Sequence, residues 1–131
     1  MKVLSIDDDH IAIRVVSAFI AKYASEHGFD IAVKGITDPV QGMLELTTQG
    51  DAYDLILLDV QMPRLSGLEI FNVIKKRYSH LKGRIVFVTA SAEELDVSFL
   101  GGAFRVVNKP VNYLELKDSV DAILDKHMAS S

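Results

Sequence analysis

The chain has 131 residues, 49% hydrophobic and 24% charged, with a formal net charge of −4 and no cysteine. That length suits one domain able to bury its own core, and the lack of cysteine excludes disulfides, thiolate zinc sites and cysteine nucleophiles. The acidic balance argues against nucleic acid as a direct partner, and no apolar stretch approaches the roughly 18 residues of a membrane span.

The opening Met1-Lys2-Val3-Leu4-Ser5-Ile6 runs straight into Asp7-Asp8-Asp9 with no signal-peptide pattern, so a cytoplasmic location is expected. Val3 to Ile6 reads as a first strand. Ala12, Val15, Val16, Phe19 and Tyr23 then recur at helical spacing, with Asp9 in a capping or solvated role and Gly28 as the C-terminal stop. Ile31-Ala32-Val33 reads as a short second strand. Asp38 is an N-cap with Pro39 in the first helical position, leading a helix through Val40, Met43 and Leu44 to about Gly50.

Leu55-Ile56-Leu57-Leu58 is the signature of a strand buried on both faces, and Asp59 closes it. Ser66 with Glu69 forms a capping box, with Leu65 and Ile70 as its staple, opening a helix to about Tyr78. Ile85 to Val88 is a fourth strand, ending at Thr89. Ser91 with Glu94 repeats the box before a shorter helix that Gly101-Gly102 ends. Val106-Val107 is the fifth strand, followed by Asn108-Lys109-Pro110. Asn112 with Glu115, and the staple Val111 with Leu116, start a last helix through Val120, Ile123 and Leu124.

Strand and helix thus alternate five times. The expected architecture is α/β: a doubly wound, five-stranded parallel sheet of order 2-1-3-4-5, flavodoxin-like, with five helices. One domain over residues 1–127 and a short tail, 128–131, are expected. In this order the first strand lies beside the third, about 4.8 Å away. Asp7 and Asp8 then come close to Asp59, with Thr89 on the next strand and Lys109 on the one beyond.

Three clustered carboxylates repel one another and call for a cation. Lys109 supplies one charge, and a divalent ion on oxygen ligands answers better. Magnesium prefers one or two carboxylates, waters and phosphate oxygens, which points to phosphoryl chemistry. Asp59 is then the candidate nucleophile, forming an aspartyl-phosphate, with Thr89 and Lys109 suited to bind the phosphoryl oxygens. Asp59 is also the expected partner of Lys109 before phosphorylation. His10, His27, His80 and His127 show no metal-binding spacing, and His10 and Arg64 read as solvated.

Taken together, Asp7-Asp8, Asp59-Val60-Gln61-Met62-Pro63 with Ser66-Gly67, Thr89-Ala90, and Gly102-Ala103 with Lys109-Pro110 resemble the motifs of two-component response-regulator receiver domains. The resemblance covers essentially the whole chain. It implies a signalling phosphoacceptor, and not an enzyme in the ordinary sense, that takes a phosphoryl group on Asp59 from a histidine kinase or histidine phosphotransfer protein. It further implies magnesium, or manganese in its place, held by Asp8, Asp59 and the backbone carbonyl of Gln61. Asp7 would act through a water, Lys109-Pro110 would be cis, and the downstream effector is unnamed.

In the family a tyrosine or phenylalanine usually stands three residues before the lysine. Here Val106 does, and Phe104 lies two residues earlier. The signal is therefore expected to travel through Thr89 and backbone shifts between Ala90 and Gly101. Gln61 and Ser91 occupy positions that tune loss of the phosphoryl group in the family. Neither is an acid, so hydrolysis is expected to be uncatalysed beyond positioning. The helix after Thr89 is about half a turn shorter than usual in the family.

Two rival functions are a haloacid dehalogenase-type aspartyl-phosphate hydrolase, using Asp7-x-Asp9 with Thr89 and Lys109, and a receiver-like binding module that is never phosphorylated. The hydrolase needs an acidic pair after the lysine, which Pro110 to Leu114 lacks, and it leaves Asp59 unexplained. The binding module leaves the like-charge cluster without a purpose.

Overall fold

The computed structural model of the chain describes residues 1–90, Leu95 and 105–129, with side chains to Asp125. Five strands, β1 (Lys2–Ile6), β2 (Ala32–Ile36), β3 (Leu55–Asp59), β4 (Ile85–Thr89) and β5 (Arg105–Asn108), form one sheet in the order β2-β1-β3-β4-β5. Every pairing is parallel, as expected of alternating strands and helices. The helices among the described residues are α1 (His10–His27), α2 (Pro39–Gln49), α3 (Gly67–Arg77) and α4 (Tyr113–Ala129), with 3-10 turns at Gly50–Ala52 and Ser79–Arg84. The expected capped helix from Ser91 to Gly101-Gly102 lies outside the described residues.

The central strands β3 and β4 are buried along their whole length, and alternate side chains feed two cores. On one face Leu4, Ile6, Ile56, Leu58 and Phe87 meet Leu46 of α2 and Ile70, Phe71 and Ile74 of α3. On the other, Val3, Leu55, Leu57, Val86, Val88 and Val107 meet α1 and α4. Each large aliphatic so buried contributes about 1.5–3 kcal/mol against its exposed state. The rings of Phe71 and Phe87 meet edge-on at 5.3 Å.

The helix boundaries follow their local signals. Asp9 Oδ1 accepts from Ile11 N and Asp38 Oδ1 from Val40 N, each at 2.9 Å. Ser66 Oγ accepts from Glu69 N at 3.2 Å, and Asn112 Oδ1 from Leu114 N at 2.9 Å. Gly28 ends α1 at φ 71°, in the left-handed region.

Three details differ from the sequence reading. β2 begins and ends later than Ile31-Ala32-Val33, because pairing with β1, from Lys2↔Ala32 to Ile6↔Ile36, sets its span. The buried stripe of α1 is Val16, Ile20, Tyr23 and Ala24, and Val15 turns outward. On α2, Pro39, Gly42 and Leu46 face the core while Val40 and Leu44 are exposed. Gly42 lets the helix close on Ile6: a Cβ there would stand 2.7 Å from Ile6 Cγ2. α4 runs to Ala129. No helix among the described residues is long and apolar enough to cross a membrane.

Candidate functional site

The carboxyl ends of β1, β3, β4 and β5 meet in one cleft. Register sets this arrangement: Ile6 pairs with Leu58, Asp59 with Val88, and Thr89 with Asn108. Asp7 and Asp59 therefore leave adjacent strand ends at one level, and Lys109 follows two strands away. Asp7, Asp59 and Thr89 are buried, whereas Asp8 is exposed at the mouth. Carboxylate oxygens of Asp7, Asp8 and Asp59 all fall within 4.8 Å of one another.

Lys109 crosses to the acids from the far side. Its Nζ lies 2.8 Å from Asp7 Oδ2 and 3.5 Å from Asp59 Oδ1. The expected partner, Asp59, is thus the more distant of the two. The lysine backbone is fixed by its own N–H donating to Thr89 O at 2.8 Å, and Lys109-Pro110 is cis, as expected.

The two oxygens of Asp7 are both engaged, since Oδ1 accepts from Asp9 N at 2.9 Å while Oδ2 faces the ammonium. Asp59 Oδ1 accepts from Gln61 N at 3.3 Å. Among the described residues, Asp59 Oδ2 is buried with no hydrogen-bond partner. A buried carboxylate oxygen left this way costs about 1–3 kcal/mol or more.

The loop after Asp59 folds back over the strand end. Leu65 N donates to Pro63 O at 2.8 Å around Arg64, whose φ is 69°, and Gly67 N donates to Val60 O at 2.9 Å. Position 67 requires glycine, because a Cβ there would stand 2.1 Å from Asp59 O. Arg64 reaches Asp38 Oδ1 at 3.7 Å, an exposed pair worth at most about 1 kcal/mol.

The sequence pattern of the family described as the response regulator receiver domain matches residues 3–121. The chain belongs to that family. Over 122 residues it is 34% identical to the autoinducer 2 sensor kinase/phosphatase LuxQ of Vibrio vulnificus, covering 92% of this chain and 13% of that protein. Over 133 residues it is 32% identical to a CpxR homolog of Haemophilus influenzae, a transcriptional regulatory protein, covering 99% and 53%. The receiver thus spans only part of the curated relatives it matches, which include a sensor kinase and a transcriptional regulator. A receiver domain protein from Clostridium thermocellum superposes with a TM-score of 0.81 at 21% identity, covering 99% of this chain and 98% of that one, a likeness of fold. As a receiver the chain is a module of two-component signalling, and the hydrolase alternative falls away.

Electrostatics in the receiver cleft follow from its burial. Desolvation, then the charge of Asp7, push the Asp59 carboxyl up to about 7, against the opposing pull of Lys109 and the Gln61 N–H. For Lys109, burial acts to lower the pKa, but the hydrogen bond to Asp7 and the charges of Asp59 and Asp7 outweigh it and raise the value. The cluster therefore carries more negative charge than one ammonium settles comfortably.

The candidate residues Asp7, Asp8, Asp59, Gln61, Thr89 and Lys109 all fall at this end of the sheet. Val106, in register with Phe87, packs against the α2/α3 core, while Phe104 and the segment from Ser91 to Glu94 lie outside the described residues. The contact that sequence reasoning missed is Glu115. Its Oε1 accepts from Asn108 N at 3.1 Å and from Asn108 Nδ2 at 3.4 Å, where the capping-box reading sent it back to its own helix.

Proposed function

We propose that this receiver accepts a phosphoryl group on Asp59 from a phosphohistidine donor, a histidine kinase or a histidine phosphotransfer protein, and thereby switches its contacts with a downstream effector. The observation that carries the reading is Asp59 Oδ2, a buried carboxylate oxygen without a hydrogen-bond partner among the described residues, in a cleft where an ammonium and two further acids converge.

The donor set suits a hard divalent cation, magnesium or manganese. Asp8, Asp59 and the Gln61 carbonyl are the ligands in this reading. Asp7 acts through a water, because both of its oxygens already have partners. When bound, the ion supplies positive charge that favours ionised Asp59 and offsets charge on the transferring group.

The chain's own residues do the rest. Asp59 Oδ2 attacks phosphorus, the O–P bond forms as the N–P bond of the donor breaks, and the donor ring, protonated on its other nitrogen, takes the N–P electron pair and leaves as neutral imidazole. Lys109, held beside Asp7, is placed to pair with a phosphoryl oxygen, and charge-assisted contacts of this kind are the strong ones. Thr89, at the end of the adjacent strand, offers its hydroxyl to another. Gln61 and Ser91 bring no carboxylate base for the return hydrolysis. The output is read as running through Thr89 and the backbone from Ala90 to Gly101, a segment that lies almost wholly outside the described residues, since Val106 replaces the usual aromatic ring. The reaction takes place on a cytoplasmic module that contacts neither membrane nor nucleic acid itself.

Incubation with acetyl phosphate and magnesium, read by intact mass, tests this. One added phosphoryl group is expected on the native chain and none on Asp59→Asn. No uptake by the native chain, while a control receiver is labelled, favours the unphosphorylated binding module.

A further inference from the structure

β5 is an edge strand of the sheet. Lys109 N–H points inward and donates to Thr89 O at 2.8 Å. Successive N–H groups along a strand face opposite sides, so the N–H of Asn108 points to the open edge, where an edge strand has no neighbour. Glu115, in the first turn of α4, fills that place: Oε1 accepts from Asn108 N at 3.1 Å and from Asn108 Nδ2 at 3.4 Å. The residue preceding Lys109 is thus tied to a helix whose Leu116 and Val120 are locked into the core.

We propose that Glu115 is a positioning residue for the Lys109 ammonium, acting through Asn108 to hold the end of β5 where the lysine reaches Asp7 and Asp59. The proposal rests on the reading of Asp59 as phosphoacceptor. Lys109 reaches the acids on a long, flexible stem. The ammonium's 2.8 Å approach to Asp7 therefore depends on where that stem is rooted. Of the backbone N–H groups of Asn108 and Lys109, the first is held by Glu115 and the second by Thr89 at the end of β4.

The test compares initial rates of phosphoryl uptake from acetyl phosphate with magnesium, read by intact mass, alongside amide hydrogen exchange of the metal-free protein. Glu115→Ala, and Glu115→Leu which keeps bulk without an acceptor, should slow uptake about tenfold and speed exchange at the amides of Asn108 and Lys109. Glu115→Gln, which retains an acceptor oxygen, should stay within about twofold of the native rate. On a Lys109→Ala background the loss of Glu115 should add nothing. Native rates in both acceptor-less variants would overturn the proposal, as would an equal loss on the Lys109→Ala background or a Gln variant as slow as the Ala one. If the native chain takes up no phosphoryl group, the Asp59 reading fails. The exchange data still decide the tether, and unchanged exchange at Lys109 would refute it.

Discussion

Lys109 Nζ lies 2.8 Å from Asp7 Oδ2, nearer than its 3.5 Å to Asp59 Oδ1. The ammonium is held chiefly by the acid at the end of β1, which leaves Asp59 the less compensated of the two buried carboxylates. Lys109→Met removes the positive charge between them and leaves Asp7 and Asp59 to repel in a cleft of low dielectric. At pH 8 in chelator it should cost about 1–3 kcal/mol, below the figure for a fully buried pair because the lysine is partly exposed. At pH 5, where Asp59 takes up a proton, the cost should shrink. Urea unfolding at both pH values measures it, and an equal cost at each would contradict the account.

The Asp59 carboxyl is raised from 3.8 to about 7, by burial first and by Asp7 second. Between those pH values the folded chain holds a proton that the unfolded chain has released. Stability from this group is therefore fully present below about pH 3.8, falls as pH rises, and is lost above about 7. Asp59→Asn removes the linkage. In chelator the variant should match the native protein at pH 4 and exceed it at pH 8 by on the order of 1–3 kcal/mol. A stability difference that does not change across this range would show that the carboxyl is not raised.

The parts of the fold carried by short-range signals were legible in the chain. Asp9, Asp38, Ser66 and Asn112 cap helices through bonds reaching two or three residues, and Gly28 stops α1 through its own φ. The buried runs ending at Asp59 and Thr89 needed only their composition. What was not legible depends on distant partners. β2 carries only the short apolar stretch Ala32-Val33 that hinted at it, and its limits come from register with β1, under Ile13, which would lie 2.6 Å from a Cβ on Gly35. Glu115 matches a capping box by spacing, yet its carboxylate goes to Asn108, seven residues back. The preference of Lys109 for Asp7 depends on the reach of one flexible side chain, which no pattern encodes.

Gly67 is where the loop after Asp59 touches its own strand. A methyl group there would stand 2.1 Å from Asp59 O and 3.0 Å from Val60 Cα, both backbone atoms. Neither can swing aside as a side chain would, so Gly67→Ala must displace the loop or the strand end. A loss of about 2–4 kcal/mol is expected, at the upper end for overpacking. Thermal unfolding of the variant measures the cost. A melting temperature within a degree or two of the native protein would mean that the loop is free to lift.

Asp7 and Asp8 are adjacent in sequence but opposed in environment, which separates their contributions. Asp7 is 4% exposed and carries both the Lys109 contact and a bond from Asp9 N, whereas Asp8 is exposed at the mouth of the cleft. Asp8→Asn should therefore leave stability in chelator within about 0.5 kcal/mol of native, as is usual for a surface change. If Asp8 is one of the ligands, as proposed, the same substitution should weaken magnesium binding about tenfold, since magnesium generally takes only one or two direct carboxylates. Asp7→Asn should do the reverse in proportion: it removes the nearer partner of a partly buried ammonium, so the stability loss in chelator exceeds that of Asp8→Asn. Calorimetric magnesium titration beside urea unfolding of both variants separates the two acids. If Asp8→Asn left magnesium affinity unchanged while Asp7→Asn abolished it, their roles would have to be exchanged.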